Sequence, residues 1–166
     1  MPELRYAGTN DLEGIVDVFL DCWTISYAGL MPAGLVEAMT RDKARELWAA
    51  TLARGETEVL VAAAPEAGGA VRGVVGYSLP EPGAGYVASL YVSPAAQGSG
   101  TGRLLLAEAE QRLRARGARR ARLWVFEKNA PSRSFYERQG WRPDGSRETL
   151  AEWGQPQIGM AKDLAG

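Results

Sequence analysis

Gln97-Gly98-Ser99-Gly100-Thr101-Gly102 sets three glycines between an apolar run and a helical one. The apolar run is Tyr86 to Val92 and stops at Ser93-Pro94. The helical run goes from Arg103 to Arg116. A chain written this way turns from a strand into a helix at the glycines. Glycine permits φ > 0 and lets a ligand approach the backbone. The first N–H groups of a helix have no partner inside it, and the helix dipole makes that end positive. Amides that converge on one point suit a phosphate, so the stretch reads as a pyrophosphate grip. It is not a dinucleotide fingerprint, because the third glycine would fall at Arg103. It is not a P-loop either, because no Gly-Lys-Ser/Thr ending follows. On these six residues alone, a flexible turn remains the other reading.

A length of 166 residues supports one domain, 1–166, with a substantial core. The net charge of −1 argues against a bulk nucleic-acid binder. There is no histidine and one cysteine, Cys22. Imidazole bases and Ser-His or Cys-His catalysis are therefore excluded. No internal disulfide can form, and a metal site is not expected. Neither an apolar run long enough to span a bilayer nor a signal-peptide core occurs. A cytoplasmic chain without a membrane partner is the expectation.

Periodicity gives the order β α α β β β α β α β β. Leu4 to Ala7 reads as a first strand. Asn10 and Glu13 are placed for a capping box, and Leu12, Ile15, Val16, Phe19 and Leu20 recur at helical spacing. That helix is expected to fade near Cys22 to Thr24, with Cys22 a buried, inert thiol. Trp23 to Leu35 is neither cleanly helical nor extended, and its aromatics either roof a site or join the core. Thr40 to Ala53 reads as a second helix. Glu58–Ala64 and Val71–Leu79 read as a hairpin, and Tyr86–Val92 as a central strand. In the helix that follows, Leu105, Leu106, Ala109 and Leu113 mark the buried stripe. Glu108/Arg112 and Glu110/Arg114 are expected as exposed i,i+4 pairs. Ala121–Phe126 is a strand, Asn129 or Ser132 starts a helix, and Gly140 ends it. Trp141 and Gln157–Lys162 open two last β stretches, with turns at Asp144-Gly145 and Gly154. A parallel crossover in the middle implies a mixed sheet covered by helices, an α/β sandwich.

The loop Gln97 to Gly102 resembles the Gln/Arg-x-x-Gly-x-Gly/Ala loop of the GNAT superfamily of acyl-CoA N-acyltransferases. A second stretch, Asn129 to Trp141, resembles that family's Asn-x-x-Ala/Ser-x-x-hydrophobic-Tyr-Glu-x-x-Gly-Phe/Trp segment. It follows a Leu-x-Val strand at Leu123 and Val125. The element order is similar too, and the likeness covers nearly the whole chain. It is weakest from Trp23 to Ala53.

The resemblance implies a GNAT-like mixed sheet of about seven strands under about four helices, with the central parallel strands splayed. It implies acetyl-CoA as donor, its pantetheine arm along Leu90, Tyr91 and Val92. Its pyrophosphate would lie on Gln97, Gly98, Ser99, Gly100, Thr101, Gly102 and Arg103. Asn129 and Ser132 would bind the cofactor, Asn129 by holding the pantetheine or ordering the cleft. Tyr136 matches the family tyrosine that faces the sulfur and acts as its acid. A strand N–H from Leu90 or Tyr91 is suited to the oxyanion.

Trp23, Tyr27, Tyr86 and Ser89 are candidate acceptor contacts. No Asp or Glu lies between Glu81 and Glu108, so a carboxylate base on the central strand is missing. Glu81, Glu37 and Asp21 stay open as substitutes acting through water. The expected activity is acetyl transfer to a primary amine of a small molecule or a protein N-terminus. A non-catalytic acyl-CoA sensor is the alternative, with a nucleotide-binding module third. The late β segment is a place where a homodimer could pair.

Overall fold

A computed structural model describes residues 2–165. Among them, seven strands form one sheet: β1 (Glu3–Tyr6), β2 (Glu58–Ala64), β3 (Ala70–Glu81), β4 (Ala84–Val92), β5 (Arg120–Phe126), β6 (Arg142–Thr149) and β7 (Pro156–Asp163). Their order across the sheet is β1-β2-β3-β4-β5-β7-β6. Every neighbouring pair is antiparallel except β4 with β5. No helix among these residues is long and apolar enough to cross a membrane.

The helices are α1 (Leu12–Asp21), α2 (Ala33–Ala38), α3 (Arg41–Arg54), α4 (Thr101–Ala115) and α5 (Ala130–Arg138). The stripe Leu105, Leu106, Ala109 and Leu113 is buried, as its spacing requires, and packs with Val75, Tyr77 and Leu123 on one sheet face. Ile15, Val16 and Phe19 of α1 and Ala44 and Trp48 of α3 cover the other face over Val61 and Val74. Arg41 and Arg45 of α3 both bind Glu13 of α1, at 2.7 and 2.6 Å. Glu13 therefore makes no capping box with Asn10. The chain instead enters through a 3-10 turn, Thr9–Asp11, where Asp11 accepts from Gly8 N–H at 2.7 Å and from Arg5.

The central pair carries the feature that positions the site. β4 and β5 pair only from Ala84 to Val87 against Arg120 to Leu123. Beyond Val87 they separate. On its other edge β4 slips register against β3, so that Gly76 faces Ser89 while Tyr77 faces Val87. Ala88 is the extra residue of a bulge, which bends β4 away from β5. Ser93 N–H bonds to Arg72 O at 2.8 Å. By the alternation of an antiparallel ladder, residues 91 and 93 turn their backbone groups to β3, and residues 90 and 92 turn theirs into the gap.

Three further local expectations differ from the fold. α1 does not fade at Cys22. It widens into a π-helical turn, Cys22–Ser26, in which Tyr27 N–H reaches back five residues to Cys22 O at 2.9 Å. Glu110 is not an exposed partner of Arg114, which stands 4.0 Å away; it is 4 % exposed and binds Lys162 of β7 at 2.6 Å and Trp141 Nε1 at 3.2 Å. Asp144-Gly145 is not a turn but an irregularity inside β6, where Asp144 leaves the ladder to bind Arg122 at 2.8 Å.

Candidate active site

The split between β4 and β5 separates two cavities that meet at its centre. The larger, of about 780 Å³, runs along the glycine loop. The smaller, of about 440 Å³, lies on the α1 and α3 side of the sheet. Tyr27, Leu90, Tyr91, Asn129, Ser132 and Tyr136 line both. These six residues form the wall that the two cavities share, a notch at the split in the sheet.

The larger cavity is built from backbone. Gly98 and Gly100 sit at φ 81° and 88°, a conformation that costs an L side chain roughly 1–2 kcal/mol. A Cβ at either position meets nothing within 4 Å, so both glycines face open space. Among the described residues, neither N–H finds an acceptor. The first-turn amides of α4 follow directly, and α4 has no side-chain cap. Gln97 ties the loop down by donating Nε2–H to Ser26 Oγ and Val92 O, each at 3.2 Å. Ser99 Oγ–H bonds to Ala96 O, and the Ser99 and Thr101 hydroxyls lie 2.8 Å apart. Thr101 is 3 % exposed and lines neither cavity. Arg103 and Arg138 line the same cavity, and among its described lining residues there is no Asp or Glu. Unpaired amides, a helix N-terminus and two guanidinium groups form a donor set for a diphosphate.

Asn129 caps α5 by accepting from Ser132 N–H at 3.2 Å. That fixes the first turn of α5, and two turns later Tyr136 reaches the notch. Tyr136 is 8 % exposed, with its ring against Phe135 and Trp141. Burial, and secondarily Tyr91, pushes its phenol well above the ordinary tyrosine value. Burial does the same to Tyr91 and Tyr27. Tyr136 therefore keeps its proton at any working pH. Burial also lifts the Cys22 thiol, to about 11, and its Sγ–H donates to Val92 O at 3.2 Å.

The smaller cavity is walled by aromatic rings. Trp23 lies tilted against Tyr27 at 5.1 Å and against Trp153 at 5.4 Å, and Phe126 closes the group edge-on. Trp23 thus fills both roles open in the sequence, being core at 2 % exposure and part of the cavity lining. Tyr86 and Ser89 line this cavity as well. Glu81, Glu37 and Asp21 line neither. The one carboxylate among the described lining residues is Glu148 on β6. Sequence reasoning missed it because no motif marks it; only the β5-β7-β6 order brings it beside the cleft.

The model of the acetyltransferase (GNAT) family matches residues 13–141. The spermidine N(1)-acetyltransferase of Thermoplasma acidophilum is 26% identical over 149 residues, 87% of this chain and 92% of that one. The mycothiol acetyltransferase of Beutenbergia cavernae is 40% identical over 75 residues, 45% of this chain; the match spans only 25% of that relative's length. Among solved structures, the PaiA N-acetyltransferase of T. acidophilum in complex with coenzyme A superposes with a TM-score of 0.78, over 98% of this chain and 99% of that one at 22% identity. The splayed sheet, the loop and the matched residues agree: this chain is an acyltransferase and belongs to the acetyltransferase (GNAT) family.

Proposed function

We propose that this acyltransferase is a single catalytic domain, 1–166, working in the cytoplasm, and that it moves the acetyl group of acetyl-CoA onto a primary amine of a small molecule. The observation that carries this is the notch. A basic cavity fit for a diphosphate and an aromatic cavity fit for an amine meet at a buried tyrosine.

The loop from Gln97 to Arg103 holds the diphosphate, with hydrogen bonds to a charged group worth about 1.5–3 kcal/mol each. The backbone of Leu90 and Val92, turned into the gap, and Asn129 and Ser132 at its lip guide the pantetheine arm. Acetyl-CoA supplies an activated thioester: the amine nitrogen bonds to its carbonyl carbon, and the carbon–sulfur bond breaks. Leu90 N–H points into the gap by the ladder's alternation and supports the carbonyl oxygen as it gains charge. Tyr136 gives its proton to the departing sulfur and recovers one from the amine through solvent. Trp23, Tyr27, Tyr86 and Ser89 contact the acceptor. The names of the relatives, one for spermidine and one for mycothiol, favour a small molecule over a protein N-terminus.

Calorimetry with acetyl-CoA, CoA and ATP, followed by free-thiol release across an amine panel, tests the reading. Acetyl-CoA and CoA should bind and ATP should not, and an amine should release thiol. Binding without release would make the protein an acyl-CoA sensor. Preference for ATP would overturn the donor assignment.

A further inference from the structure

The two cavities carry opposite charge. Arg103 and Arg138 line the larger one, which suits a polyanion. Among the described lining residues of the smaller one there is no Lys or Arg, and Glu148 alone is charged. Glu148 Oε1 accepts from Gln157 Nε2 at 2.8 Å, its one side-chain hydrogen bond among the described residues. Gln157 is itself 8 % exposed, so the carboxylate is held from below by a buried amide. Its neighbour Arg147 does not pair with it; it turns to Glu127 at 3.1 Å. Glu148 is thus a solvent-exposed carboxylate on the outermost strand, oriented by one hydrogen bond and in no ion pair among the described residues.

Its place in the fold matters as much as its charge. Glu148 faces Gln157, and Gln157 faces Phe126, the last residue of β5. Glu148 belongs to the smaller cavity alone and not to the notch. Between them lies aromatic wall, whose rings attract cations through their faces. Two rings of that wall already have cationic neighbours: Arg122 stands 5.3 Å from Trp124, and Lys43 stands 5.9 Å from Trp153. Neither lines the cavity, and Arg122 is matched by Asp144.

We propose that the acceptor carries a second positive charge, and that Glu148, positioned by Gln157, binds that charge while the reacting amine lies at the notch. The acceptor class is then a diamine, or an amine bearing another cationic group, with an apolar spacer along the rings. This rests on the assignment of the smaller cavity to the acceptor. It adds a specificity-determining residue and a charge requirement.

The test compares α,ω-diaminoalkanes of increasing chain length with the matching monoaminoalkanes, in wild type and in Glu148→Gln. In wild type, one diamine length should show a KM about threefold to fivefold below its monoamine. Glu148→Gln should raise that diamine's KM to the monoamine's, leaving the monoamine's KM and the KM for acetyl-CoA unchanged. Gln157→Leu should give a partial loss in the same direction. Equal KM values for diamines and monoamines in wild type, or a diamine preference that survives Glu148→Gln, would overturn the assignment. Calorimetry of the diamine with CoA-loaded protein gives the same comparison without turnover. A failure of acetyl-CoA to bind counts against the donor reading, whereas a diamine bound no better than its monoamine counts against Glu148.

Discussion

At the scale of single residues the account turns on which groups keep their protons and which face the cleft. Tyr136 is held protonated by burial beside Tyr91. Tyr136→Phe keeps the ring and removes the acid. Its turnover should fall by about a hundredfold, while calorimetric affinity for acetyl-CoA stays within a few fold. Unchanged turnover would mean that another group protonates the sulfur. Cys22 is a different case. Its thiol is buried and raised to about 11. At pH 7.5 an aromatic disulfide reagent should leave it untouched in the native protein and titrate one thiol per chain in denaturant. Rapid modification of native protein would contradict the burial. The place of Tyr136 at the cleft and the burial of Cys22 were both legible in the sequence, the first from the Asn129–Trp141 segment and the second from the apolar stripe beside Cys22. Glu148 was not, because its meaning depends on three strands being neighbours.

At the scale of elements, what was legible was periodic. The stripe of α4, the β2–β3 hairpin and the strand-to-helix turn at the glycines are all local patterns, and all formed. What escaped was set by distant partners. The π-helical turn Cys22–Ser26 has no sequence signature; it lets Trp23 and Tyr27 reach the same aromatic wall. Glu110 lies beside the buried stripe and is kept there by Lys162, fifty-two positions away. Removing the carboxylate leaves Lys162 and Trp141 Nε1 without it. Glu110→Ala should cost about 3 kcal/mol in urea unfolding. A loss below about 1 kcal/mol would mean that the pair is solvated. The mouth of α4 behaves differently. Gly100→Ala meets no steric barrier but must hold φ 88°. It should destabilise the fold by roughly 1–2 kcal/mol and lower acetyl-CoA affinity further, because the new methyl projects into the cradle. An affinity equal to wild type would place the diphosphate elsewhere.

At the scale of the whole molecule, the buried phenols set how stability depends on pH. Burial raises Tyr27, Tyr86, Tyr91 and Tyr136, and it raises Cys22 to about 11. Above the ordinary values of these groups, about 8.5 for the thiol and about 10 for the phenols, the unfolded chain has released protons that the native state keeps. Stability therefore falls as pH rises through that window. On the acid side, the Arg5 hydrogen bonds hold Asp11 below the usual carboxylate range. Its contribution is present above about pH 4 and is lost as pH falls through its native value. The melting temperature should be flat between about pH 5 and 8 and decline on both sides, as differential scanning calorimetry would record. A plateau that extends beyond pH 11 would contradict the burial of the tyrosine cluster.

The central claim is that one ligand spans the loop and the gap together. Amide hydrogen exchange with and without acetyl-CoA reads both at once. The account predicts new protection at Gly98, Gly100 and the first turn of α4, and at Leu90 and Val92 of β4, with β1 and the outer half of β6 unchanged. Protection confined to other elements, or absent at saturating acetyl-CoA, would contradict it.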